Sequence, residues 1–193
     1  MRADGTLPFT VRHLGGSTTD VDVDAVVELS LAAWAPVFAS LEQMLGTPVF
    51  RRIYPDWAAA QAAAVRTVCT APENEVWVAV TDNRPIGFVA VGFVDEDAAR
   101  AGEIVMIAVD PRHQQGGVGT GLMRRVLAEI EARGVDLAVV ATGGDPGHAP
   151  ARALYERFGF TPLPQGRYYR TVGPGPAGPG AAPAPSRAPG AAT

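Results

Sequence analysis

The chain has 193 residues, 47% hydrophobic and 19% charged, the composition of an ordinary soluble globular protein with apolar material for one core. A formal net charge of −4 argues against a nucleic-acid surface, and every one of the 16 basic residues is Arg. The single cysteine, Cys69, excludes an intramolecular disulfide and is compatible with a reducing compartment. The first eight residues lack the apolar core of a signal peptide, and the longest apolar run, 86–94, is too short to span a bilayer. A cytoplasmic location without a membrane partner is expected.

In chain order, residues 1–6 read as a flexible N-terminus and 9–14 as a short first strand. The acidic run 20–24 precedes a stripe at Val27, Leu31, Trp34, Phe38 and Leu41, whose spacing puts all five on one helix face. Asp22 or Asp24 is the candidate cap, and Pro36 should kink or break the helix near Trp34. A second helix is expected from an Asp56 cap to about Val68. Alternation at Val76, Val78 and Val80 predicts a strand over 75–81, turned by Asp82 to Pro85 into another over 86–94. An acidic turn at Asp95, Glu96 and Asp97 leads to a strand over 103–109, apolar on consecutive positions and expected to be buried on both faces. The helix after it carries Leu122, Val126 and Ile130 and stops at Gly134, which can supply a left-handed cap. A strand over 135–141, a helix over 149–158 and two short strands, at Gly159-Phe160 and over 165–172, complete the domain, 7–172. From Gly173 onward the chain is almost wholly Gly, Pro and Ala, a composition too poor in large apolar side chains to order itself.

The most informative segment is the strand ending at Val109 followed by Gln114, Gln115, Gly116, Gly117, Val118, Gly119, Thr120 and Gly121. A glycine turn that opens a helix brings unpaired N–H groups and a partial positive charge to one spot, which suits a diphosphate. A Walker-type loop is excluded because it requires a Lys, and the G-x-G-x-x-G dinucleotide fingerprint fails because Leu122 holds its third glycine position. A glycine-rich turn without any ligand is the alternative reading of the motif.

The pattern Gln114-x-x-Gly117-x-Gly119 after an apolar strand resembles the diphosphate arm of the GNAT superfamily, the acetyl-CoA-dependent N-acetyltransferases. A second segment, Ala151-x-x-Leu154-Tyr155-Glu156-x-x-Gly159-Phe160, is similar to the family's later helix. The two motifs cover about 75–172, and the earlier part matches in element order alone. The resemblance implies an α/β fold, a mixed sheet flanked by helices in the order β-α-α-β-β-β-α-β-α-β-β, with acetyl-CoA as cosubstrate. It further implies that Ile107, Ala108 and Val109 pair with the pantetheine like an added strand, with the Val109 N–H near the thioester oxygen. Gln114, Gln115, Gly116, Gly117, Val118, Gly119 and Thr120 would hold the diphosphate. Arg112 and Arg124 or Arg125 are available to the adenosine phosphates, or are solvated surface charges. His148 stands where the family often has an Asn and is either a coenzyme contact or a helix cap.

Acetyl transfer requires that the amine lose a proton, that the oxyanion be stabilised and that the thiolate leave. For an amine of pKa about 10.4, deprotonation at neutral pH costs roughly 4–5 kcal/mol. Glu103, placed as in the histone-acetyltransferase branch, is the candidate base, with a solvated strand-end carboxylate as its alternative. His113 is the rival base, but sits at the phosphate loop. Tyr155 matches the family tyrosine that serves the leaving sulfur, with a core aromatic as its alternative. No metal is implied, since His13, His113 and His148 lack ligand spacing.

The acceptor is expected between the N-terminal helices and the loops around Glu103. Trp34, Phe38, Tyr54 and Trp57 are mostly core at their spacing, with one or two expected to reach the site. The glycines Gly143, Gly144 and Gly147 suit either a moving lid or a turn of positive φ. A small-molecule amine is the leading acceptor. A peptide α-amine is the second, because Gly166-Arg-Tyr-Tyr169 is similar to the end of bacterial ribosomal-protein N-acetyltransferases. A non-catalytic acetyl-CoA-binding sensor is the alternative of another class. A homodimer is compatible with the sequence, which does not determine the oligomeric state.

Overall fold

A computed structural model of the chain describes residues 8–15, 20–96 and 99–173. The expected N-terminal leader, Asp97 of the acidic turn and all but the first residue of the Gly/Pro/Ala tail lie outside the described residues. Five strands form one mixed sheet in sequence order: β1 (Thr10–His13), β2 (Glu75–Thr81), β3 (Arg84–Glu96), β4 (Ala99–Val109) and β5 (Leu137–Val139). The first four are antiparallel neighbours, and β5 joins β4 in parallel. Asp82 and Asn83, both at positive φ, make the two-residue turn between β2 and β3, a conformation that Asp and Asn tolerate better than most residues.

Helices α1 (Asp20–Leu45), α2 (Thr47–Ile53) and α3 (Trp57–Thr70) precede β2, whereas α4 (Val118–Ala132) and α5 (Ala149–Arg157) flank β5 in sequence. The period of the strands splits their side chains between two cores. Val76, Val78, Phe88 and Ala90 pack with Val26 and Leu29 of α1 and Val65 of α3. Trp77, Ala79, Val89 and Val91 pack on the other face with Leu122, Met123, Val126 and Ile130 of α4 and Tyr155 of α5. Fully burying one such aliphatic side chain stabilises the fold by about 1.5–3 kcal/mol, so this double patterning is the main reason the sheet has helices on both sides.

Several expectations need correction. Pro36 does not end α1, which runs through it. Pro36 and Ala32 are both exposed, so the carbonyl that loses its partner faces solvent, where water can satisfy it. The buried face of α1 is Val23, Val26, Val27, Leu29, Ser30, Val37 and Ser40, so Val27 of the expected stripe is buried while Leu31, Trp34, Phe38 and Leu41 are only half-buried. Asp22 and Asp24 lie inside α1 and pair with Arg12 and Arg66 rather than capping. By length and hydropathy α1 would be long and apolar enough to cross a membrane; here it lies on the sheet. Asp56 does cap α3, accepting from the Ala59 N–H at 3.0 Å, but the short α2 went unanticipated.

Strand β4 is not buried on both faces, since Val105 is exposed where a bulge puts it out of register with β3. The two closing strands are absent among the described residues. Gly159-Phe160 instead terminates α5: the Gly159 N–H donates to the Glu156 carbonyl and the Phe160 N–H to that of Tyr155, with Gly159 at φ +84°. The same pair of bonds, at Gly134 and Val135, ends α4 as expected. Residues 161–172 are exposed and unpaired, and β5, the edge that would receive them, is regular over only three residues.

Candidate active site

The site is set by where β4 and β5 part. Their ladder pairs Ala101 to Glu103 with Leu137 to Val139 and stops, while β4 continues six residues to Val109. Along that stretch β4 is paired with β3 alone. The Asp110 N–H donates to Ile86 of β3 at 2.9 Å, so by strand alternation Ala108 also faces β3. Ile107 and Val109 therefore turn their N–H and C=O groups toward the open side. An extended amide-bearing chain laid there can add to the sheet as a strand would.

Beyond Val109 the chain makes a 3₁₀ turn (Pro111–His113) and then the glycine turn. Gln114 Nε2 donates to the Val109 carbonyl at 3.2 Å and ties the turn to the strand end. Gln115 and Gly117 both have positive φ, +61° and +83°, which turns the backbone sharply into α4. Gly117 is the N-cap of α4 and no side chain caps it. The first intrahelical bond comes from the Gly121 N–H, so those of Val118, Gly119 and Thr120 have no partner within the helix. An uncapped helix end with the dipole behind it accommodates a diphosphate. Gly121 serves packing instead, because a Cβ there would meet the Phe9 ring at 2.9 Å.

Of the three candidate arginines, Arg112 folds back on Asp110, with Nη2 at 2.6 Å from Oδ2. That guanidinium, against a smaller opposing effect of burial, holds Asp110 below the usual carboxylate range. Arg125 lies over the Trp77 ring and pairs with Glu129 at 3.0 Å. Arg124 is exposed and has no ion-pair partner among the described residues. His113 is half-buried, and its Nδ1 lacks a hydrogen bond among the described residues.

Glu103 is half-buried at the point where the ladder ends, opposite Gly92 on β3 and Val139 on β5. Gly102 faces Ile130 of α4, so alternation puts Glu103 on the α1 and α3 face. Tyr155 is 8% exposed on α5, on the opposite face, and its neighbour Leu154 lies against Gly119 of the glycine turn. Burial pushes the Tyr155 hydroxyl up to about 12, so it keeps its proton at neutral pH and acts as a donor. Glu103 thus lies on one face of the sheet, where the gap between β4 and the segment following β5 opens, and Tyr155 in the core of the other face.

On the acceptor side the four aromatics pack on one another and on the sheet, and the positive-φ reading of the glycines fails. Phe38 stacks on Trp57 at 4.4 Å and meets Tyr54 edge-on, so these aromatics join α1, α2 and α3. Trp34 packs against Phe88. None of Gly143, Gly144 and Gly147 has positive φ, and the loop is pinned to α1 by the Gly147 N–H donating to Ser40 Oγ at 3.1 Å. Sequence reasoning also missed Asp145, which is 2% exposed and accepts a hydrogen bond from His148 Nδ1. The signal was present as an Asp three residues before a His, yet only burial gives that spacing meaning. A concavity of about 530 Å³ lies at the far end of β4, beside Arg100 and Arg133, and contributes nothing to this site.

Residues 39–160 match the model of the acetyltransferase (GNAT) family, and the chain belongs to that family. A mycothiol acetyltransferase of Beutenbergia cavernae is 46% identical over 65 residues, 34% of this chain. The chain spans only 21% of the length of that relative. Among solved structures, a mutant of the BH1408 protein from Bacillus halodurans superposes with a TM-score of 0.64 at 16% identity, over 84% of this chain and 99% of that one. The aminoglycoside-type enzyme AAC(6′)-Iy, in complex with the bisubstrate analogue CoA-S-monomethyl-acetylneamine, gives 0.56 at 18% identity, over 85% and 98%. Both likenesses are of fold.

Proposed function

We propose that the protein transfers the acetyl group of acetyl-CoA to the primary amine of a small molecule, by direct attack within a ternary complex. The observation that carries the reading is the continuity of two unpaired backbone surfaces: the open edge of β4 and the uncapped start of α4. One binds an extended amide chain and the other a diphosphate, and acetyl-CoA presents both in that order. On this reading Ile107, Ala108 and Val109 line the pantetheine, and Gln114, Gln115, Gly116, Gly117, Val118, Gly119 and Thr120 surround the diphosphate. Glu103 receives the ammonium proton from the α1 face. The Tyr155 hydroxyl donates to the sulfur as negative charge develops there.

The likeness to a mycothiol acetyltransferase and to an enzyme solved with an acetylneamine bisubstrate analogue favours a small-molecule acceptor over a peptide. We place the protein in the cytoplasm, where acetyl-CoA is made and where Cys69 would stay reduced. The test is calorimetry with acetyl-CoA, followed by thiol release over a panel of alkylamines, aminosugars and peptides with a free α-amine. Binding with release for the first two groups is expected. Release with peptides alone would move the acceptor to protein N-termini, and binding without release would make the protein a sensor. Absence of binding would end the proposal.

A further inference from the structure

The loop from β5 to α5 borders the gap and packs on α1, and its polar groups are arranged around one buried carboxylate. His148 Nδ1–H donates to Asp145 Oδ1. Arg152 Nη1 donates to the carbonyls of Gly143 and Asp145 at 2.6 and 2.9 Å, and Ser40 Oγ of α1 receives the Gly147 N–H. The glycines are required for this closure. A Cβ on Gly147 would lie 2.7 Å from the Val37 Cα, and one on Gly143 would strike Asp145 and His148. Asp145 Oδ2 is buried with no hydrogen-bond partner of good geometry among the described residues. Burial raises the Asp145 carboxyl, but the His148 bond and charge, with a smaller share from Ser40, outweigh it and leave the group below its ordinary range.

Hydrogen-bonded through Nδ1 to an ionised carboxylate, a neutral imidazole takes one tautomer: the proton on Nδ1 and the lone pair on Nε2. His148 Nε2 has no hydrogen-bond partner among the described residues, and the side chain is 21% exposed. His148 is the N-cap of α5, and Tyr155 follows seven residues later. Two helical turns bring them to the same side of α5, about 10 Å apart along its axis. Tyr155 adjoins the glycine turn through Leu154. His148 ends the segment that follows β5 and borders the gap, and Glu103 lies where that gap opens.

The chemistry needs such a group. An ammonium that becomes an amide sheds two protons from nitrogen, and Glu103 can hold only one. We infer that His148, oriented by the positioning residue Asp145, is a second proton acceptor of the transfer site. This rests on the acetyl-transfer reading above. Glu103 takes the first proton, and the nitrogen lone pair forms the N–C bond at the thioester carbonyl. As the tetrahedral adduct collapses, the C–S electron pair leaves on sulfur and the remaining surplus N–H proton passes to Nε2. The thiolate departs hydrogen-bonded to Tyr155 and takes one proton on release to water. Glu103 and His148 return theirs to solvent, so one proton is released per turnover.

Two measurements on the full chain decide the matter. Nitrogen NMR of the acetyl-CoA-bound protein near pH 8 should show His148 protonated at Nδ1 only, and Asp145→Asn should abolish that preference. A wild-type His148 protonated at Nε2 overturns the inference whatever the acceptor proves to be. With neamine and n-butylamine as acceptor probes, His148→Gln should lower kcat about a hundredfold with acetyl-CoA affinity within about twofold. Added imidazole should restore part of the turnover of His148→Ala, which a structural role would not allow. Asp145→Asn should lower kcat while leaving the KM for acetyl-CoA unchanged. Unaltered kcat in His148→Gln, or a loss confined to acetyl-CoA affinity, overturns the inference. If wild type binds acetyl-CoA and acetylates neither probe, the small-amine reading fails, and the tautomer still decides the dyad.

Discussion

In the proposed reaction Tyr155 and Glu103 have opposite requirements. The phenol must keep its proton, and burial, which raises it to about 12, ensures that it does. Transfer to a thiolate, whose thiol has a pKa near 8.5, is uphill from there, so the hydroxyl stabilises charge as a hydrogen-bond donor. A bond to a charged group is worth about 1.5–3 kcal/mol, and Tyr155→Phe should lower kcat tenfold to about a hundredfold without weakening acetyl-CoA binding in calorimetry. The carboxylate acts earlier: Glu103→Gln should reduce kcat/KM for the amine by about 10²–10³ and leave coenzyme affinity as it was. A loss of coenzyme affinity in either variant would place that side chain in binding rather than in chemistry. Half-buried Cys69, its thiol pushed up to about 11, should react slowly with a thiol reagent at neutral pH until the protein unfolds.

At the scale of elements, α1 and α4 show how local rules yield to tertiary packing. Pro36 sits on the solvent face of a 26-residue helix whose other side is anchored in the core, and the anchoring keeps the helix continuous. Pro36→Ala should restore one backbone bond and raise the melting temperature, with up to about 3 kcal/mol available. The start of α4 makes the opposite case, since its cap position is left bare. Gly117 holds φ +83°, and Gly117→Ala should cost about 1–2 kcal/mol of backbone strain. The same change should weaken acetyl-CoA binding in calorimetry by displacing the amides that follow it. Strand β5, with a ladder of only three residues, matters because it ends early, and its early end creates the gap.

For the whole molecule, acid should be the destabilising direction. Glu75, Asp110 and Asp145 all lie below their ordinary values: Asp110 chiefly through Arg112, and Glu75 and Asp145 because their partners outweigh an opposing burial. A depressed folded-state pKa contributes stability that is present above the unfolded value, near 4, and lost as pH falls through the folded one. Urea unfolding followed downward from neutrality should show a midpoint that holds until about pH 4 and then drops. Asp110→Asn should flatten that acid limb. The three carboxylates also tie separate parts of the sheet to their surroundings: Glu75 joins His13 and Arg133, Asp110 braces the turn after β4, and Asp145 joins α5 to the loop before it.

What sequence alone determined is whatever depends on neighbours a few residues apart. Period-two and period-3.6 patterns mark β2, β3, α3 and α4, Asp56 and Gly134 mark helix ends, and the glycine turn marks the start of α4. These follow from backbone geometry and near-neighbour contacts, which a linear reading contains. Tertiary structure decided what depends on residues far apart. It turned Phe38 and Trp57 onto each other and packed Trp34 against Phe88. It also pinned a glycine loop to Ser40, 107 residues away, around a buried Asp145. Burial and desolvation are properties of the assembled molecule, so the charge state and aim of a side chain such as His148 became legible only there.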